Sequence, residues 1–128
     1  MKDTLKKLEE LNTQRRVLVK QLEQEFNSAL KQVFVDNPKL EQISMYVNNH
    51  EFNDGNAISF YLGWEDMTIS VDGEEFQREW DRNTNEYVEN PLLNNLIELF
   101  GQVQDIHEAM YGDAYENLTI DREEILNN

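Results

Sequence analysis

The chain has no cysteine. That excludes disulfides, thiolate nucleophiles and cysteine-ligated zinc. Glycine occurs five times and proline twice, at Pro38 and Pro91, and no Gly-rich phosphate loop is present. No apolar run approaches the ~18 residues of a membrane span. Met1-Lys2-Asp3-Thr4-Leu5 leads into charged residues rather than an apolar signal core, so the cytoplasm is the expected location. The histidines are His50 and His107, too few and too isolated for zinc, which takes three or four ligands. An EF-hand needs acids at loop positions one, three and five before its glycine. Gly55 follows His50, Phe52 and Asp54, and Gly73 follows Thr68, Ser70 and Asp72, so neither qualifies. Ser28, Ser44, Ser59 and Ser70 lie outside any Gly-x-Ser-x-Gly turn. The expectation is a protein without metal, cofactor or catalytic centre.

Positive charge is scarce over most of the chain. Residues 37–128 hold 4 Lys/Arg against 20 Asp/Glu, a net of −16. Residues 1–36 hold 7 against 6, a net of +1. An acidic body of this kind repels nucleic acid and anionic membrane and attracts basic surfaces.

What is present reads as one α+β domain over 1–128. Residues 3–35 carry Leu8, Leu11, Leu18, Leu22, Phe26, Ala29 and Val33 at three- and four-residue spacing, widened by Leu5, Val19, Leu30 and Phe34. Asp36-Asn37-Pro38 stops this helix. At ~1.5 Å per residue it is roughly 50 Å long, more than the diameter of a 128-residue globule, so part of it should protrude or pair with another chain. Arg15 falls where the seam wants an apolar residue and Asn12 lies one turn earlier; such polar groups either set register in paired helices or mark a helix end that reaches solvent.

From about 40 to 82 the period changes to two. Ile43, Met45 and Val47 alternate with polar residues, as do Ile58, Phe60, Leu62 and Trp64, and then Met67, Ile69 and Val71. A turn of Asn, His, Asp and Gly separates the first two runs, and Asp72-Gly73 is a strong hairpin signal. The spacing predicts an antiparallel meander of three or four strands. Phe76, Arg78 and Trp80 are expected inward on a last strand, although the four-residue separation of Phe76 and Trp80 also fits a helical turn. Residues 83–89 read as an acidic loop. Asn90-Pro91 opens a helix over 90–112, packed on the same sheet face, with Gly112 as a left-handed cap. Residues 113–128 read as an acidic tail, with Asp121-Arg122-Glu123-Glu124 resembling a capping box before a short helix.

Two functional readings follow. In the first, Glu65, Asp66, Asp72, Glu74, Glu75, Glu79 and Asp81 dock on a basic, nucleic-acid-binding protein and inhibit it as a nucleic-acid mimic, with Tyr46 and Tyr61 as aromatic anchors. In the second, Leu8, Leu11, Leu18 and Leu22 drive assembly, pairing the long helix with a client helix or a second copy as a homodimer.

Overall fold

A computed structural model describes residues 1–49 and 60–127. The expected turn around His50 and Gly55, and the strand positions Ile58 and Ser59, lie outside the described residues. Helix α1 runs Lys2–Asp36 without interruption. At its end the Asn37 backbone N–H and side-chain Nδ2 both donate to the Val33 carbonyl, at 3.0 and 2.8 Å. A backbone turned out of the helix at Asn37 suits the following proline. Arg122 completes the cap. Its Nη1 donates to the carbonyls of Phe34, Asn37 and Leu40 at 2.8, 3.1 and 3.2 Å. A cation is favoured at this negative end of the helix dipole.

Strand β1, Leu40–Asn49, is the hub of an antiparallel sheet. Strand β2, Phe60–Leu62, pairs with its far end, Val47–Asn49. Strand β3, Thr68–Val71, pairs from Leu40 to Ser44. Strand β4, Glu74–Gln77, pairs back on β3 through Asp72 and Gly73. Both turn residues have positive φ, 52° and 81°, as a two-residue hairpin turn of the primed type requires.

The inner sheet face contributes Leu40, Ile43, Met45, Val47, Leu62, Met67 and Ile69, all buried. Leu40 and Ile43 share this face because a register shift between Leu40 and Gln42 inserts one extra residue. Phe26, Leu30 and Phe34 of α1 cover the face together with Leu93, Leu96 and Phe100 of helix α2, Pro91–Gln102. The rings of Phe26 and Phe100 meet edge to face at 5.0 Å, joining the two helices over one core. The Asn90 side chain caps α2 by accepting from the Leu93 N–H at 3.2 Å.

Several expectations are corrected. Residues 74–77 are strand, yet Phe76 and Trp80 are exposed rather than inward. Phe76 sits opposite buried Ile69, but on the sheet's edge strand, β4. The 83–89 loop instead contributes β6, Glu86–Tyr87, which pairs with β5, Trp80–Asp81. The helix over 90–112 breaks at Val103 into a 3-10 turn, Gln104–Ile106, and helix α3, His107–Tyr111. There the His107 Nε2–H donates to the Phe100 carbonyl at 2.7 Å, a carbonyl that the next helical turn would otherwise use. Gly112 is right-handed, φ −61°, not a left-handed cap. A Cβ there would collide with the Glu108 carbonyl oxygen, so close approach accounts for the glycine.

The expected acidic tail supplies β7, Asn117–Asp121, and helix α4, Arg122–Leu126. Strand β7 pairs with Gln42–Tyr46. Strand β3 also pairs with Gln42–Ser44, so the two lie on opposite edges of β1. No capping box forms at Asp121. Its carboxylate accepts from Gln42 Nε2 at 2.7 Å instead.

Candidate interaction surface

The outer sheet face carries Tyr46 and, opposite Asn48 one register step along, Tyr61. Both are exposed and their rings are 5.9 Å apart. Gly63 makes the placement of Tyr46 possible. Its N–H donates to the Tyr46 carbonyl at 2.9 Å, and any Cβ on Gly63 would collide with the Tyr46 ring. The chain then tightens into a 3-10 turn, Trp64–Asp66, which carries Glu65 and Asp66 beside the tyrosines. Tyr61 continues to Trp64 at 6.2 Å, and Trp64 meets His107 edge to face at 5.2 Å. Desolvation raises the Tyr46 hydroxyl pKa above its ordinary value, helped by a hydrogen bond with Tyr61 and by the charges of Asp66 and Glu65. Four of the nine sequence-selected residues therefore converge: Tyr46, Tyr61, Glu65 and Asp66.

The other five do not join them. Asp72 sits at the β3–β4 turn, beside the Leu40 end of β1. Tyr46 is six residues further along β1, about 20 Å at the usual strand rise. Asp72 forms a 3.9 Å pair with Lys39 in which both side chains are 75% exposed, an arrangement that contributes little. Glu74 and Glu75 are consecutive in β4 and point to opposite faces. Asp81 accepts from the Asn83 N–H at 2.8 Å, and the Glu79 carbonyl accepts from the Val88 N–H at 2.8 Å, within the β5–β6 hairpin. Between the two ends the outer face presents Ser44, Thr68, Ser70 and Thr119, with Asp121 beside Gln42 and Glu75 beside Ser70 on the flanking strands. The acidity is concentrated in turns and edges.

The packing also forms a feature that sequence reasoning missed. A cavity of about 180 Å³ lies beside the tyrosines, lined by Tyr61, Trp64, Gln104, Asp105, His107 and Glu108 among others. His107 is only 4% exposed. Burial lowers its pKa, opposed by its bond to the Phe100 carbonyl and by Asp105. The imidazole is thus neutral at pH 7, with Nε2 protonated. Asp105 and Glu108 flank His107 in sequence, but only the packing of α3 on β2 brings them to Tyr61.

The β5–β6 hairpin adds a second aromatic cluster. Trp80 and Tyr87 meet edge to face at 4.9 Å, and the Arg78 guanidinium lies 4.3 Å from the centre of the Tyr87 ring. Arg78 also reaches Glu65 at 3.9 Å, linking this hairpin to the acidic turn. On α1, Leu8, Leu11, Leu18 and Leu22 are exposed, as is Leu5. Among the described residues no group of three His, Asp or Glu is placed to hold a metal ion. No helix among them is long and apolar enough to cross a membrane. No protein-family model, no curated protein and no solved structure matches this chain.

Proposed function

We propose that this chain is a small non-enzymatic binding protein. Its Tyr46–Tyr61–Glu65–Asp66 end docks on a basic, nucleic-acid-binding partner and blocks it. The observation that supports this reading is the convergence of two paired, exposed tyrosines and two carboxylates from separate elements. Tyrosine brings a large apolar body with a polar tip at little entropic cost, as binding anchors do. The net charge of −16 over residues 37–128 steers a basic surface toward it. The adjoining cavity fits a lysine or arginine side chain from the partner. Trp64 and Tyr61 supply aromatic surface there, and Asp105 and Glu108 supply compensating charge.

The test is capture from a lysate of the source organism or its host, eluted across a salt gradient and read by mass spectrometry. The expected result is a basic nucleic-acid-binding protein that leaves at moderate salt, is displaced by competing duplex DNA or RNA, and is lost with Glu65→Lys/Asp66→Lys. Retention unaffected by that charge reversal would refute the docking site. A second, compatible reading is assembly through α1, favoured by its exposed leucines.

A further inference from the structure

The first core contact of α1 that is fully buried is Phe26, and every residue from Met1 to Leu18 is exposed. At 1.5 Å per residue, that arm extends roughly 25 Å. Leu5, Leu8, Leu11 and Leu18 on it, and Leu22 just beyond, are each between 42% and 63% exposed. The helix is continuous to Asp36, so it cannot fold this stripe back onto its own body. An arm this apolar, held rigidly in water, favours association.

The geometry points to a second copy of the same arm, running antiparallel, as the occupant, an inference that deepens the assembly reading alone. The seam is close to symmetric under reversal about the midpoint between Thr13 and Gln14. Leu5 then falls opposite Leu22 of the partner subunit, and Leu8 opposite the partner's Val19, which is half-buried against its own core at the base of the arm. Leu11 comes beside the partner's Leu18 on one flank, and Glu9 beside the partner's Arg16 on the other. The two polar seam residues also match, since Asn12 meets the partner's Arg15, an acceptor against a donor. An isologous two-fold contact repeats each of these pairs twice.

Parallel pairing lacks these features. It sets Arg15 against Arg15 and brings two bodies of net charge −16 side by side. The antiparallel arrangement puts the two bodies at opposite ends of the paired helices and leaves both tyrosine–carboxylate ends free.

The absence of native cysteine makes the test direct. In sedimentation equilibrium the expected mass is twice the 15.2 kDa of the chain. It should return to a single chain for Leu11→Glu/Leu18→Glu, with unchanged circular dichroism because neither side chain packs on the body. Leu5→Cys and Leu22→Cys proteins, mixed and oxidised with oxidised glutathione, should give the disulfide-linked heterodimer, while each alone stays largely uncrosslinked. A monomer at all concentrations, a dimer that survives Leu11→Glu/Leu18→Glu, or efficient self-crosslinking of Leu5→Cys would each overturn the proposal. None of these variants touches Tyr46, Tyr61, Glu65 or Asp66, so failure here leaves the docking reading standing.

Discussion

Phe26, Leu30 and Phe34 occupy the same helix as Leu11, Leu18 and Leu22, at spacings of four or seven residues that keep each set on one face. The first set is sealed under the sheet and α2, and the second stands in solvent. Periodicity therefore states that a helix has an apolar face. It does not state what covers that face, because coverage depends on residues distant in sequence. Charge divides the molecule along a similar line. The exposed arm is mildly basic, and the body beneath the covered half is strongly acidic. The half left uncovered by the described residues is also the half that the body's charge does not repel from other copies.

The comparison breaks most sharply by mutation. Phe34→Ala should cost about 3–5 kcal/mol, since a fully buried ring leaves a cavity. Leu18→Ala, measured at dilute concentration where the chain is monomeric, should shift stability by less than about 0.5 kcal/mol. Urea unfolding of both variants measures the contrast, and equal losses would mean that the arm packs on its own body. Next in size is Arg122→Met, at about 2–3 kcal/mol. It removes one charged donor from three carbonyls at the end of α1. Lysine at this position should restore only part of the loss, because it lacks the planar fork of donors.

Gly63→Ala sharpens the contrast between fold and surface. The added methyl must displace the Tyr46 ring, at about 1–3 kcal/mol. The near-ultraviolet circular dichroism of the tyrosines should change, and capture of the basic partner should weaken, while self-association through α1 persists. An unchanged spectrum would show that the tyrosine pair does not depend on Gly63.

The smallest effect concerns His107. Its pKa is lowered from 6.5 in the folded state, so the unfolded chain binds more protons as the medium acidifies. The stability this group contributes is fully present above about pH 6.5 and is lost as pH falls through its lowered folded value. The stability difference between the native protein and His107→Gln should therefore shrink from pH 7 to pH 5, the many carboxylates being common to both. A difference constant across that range would mean that His107 is not held neutral.

Local signals predicted the fold well where a single element sufficed. Asn90-Pro91 does start a helix, Asp72-Gly73 does turn a hairpin, and Asn37 does end α1. They predicted poorly where the deciding partner is remote. Leu118 and Ile120 are too short a run to announce β7, which exists because β1 leaves an edge open to it. Nothing near Leu40 marks the bulge that turns it inward. At the α2–α3 break a His107 bond reaches back seven residues to the Phe100 carbonyl. Of the candidate surface, the residue types were legible but not their grouping. Glu74 and Glu75 counted equally in the sequence, and the pleat sends them to opposite faces.

By itself, the sequence determined the α+β class, the length of α1, the hairpin turn and the division of charge. Each of these depends on neighbours within a few residues or on composition alone. Tertiary structure decided which half of α1 is covered and that the last residues complete the sheet. It also decided that Tyr46, Tyr61, Glu65 and Asp66 meet while Asp72 stays about 20 Å away. Those outcomes depend on strand register and on how far the helices reach across the sheet, and contacts between residues distant along the chain set both.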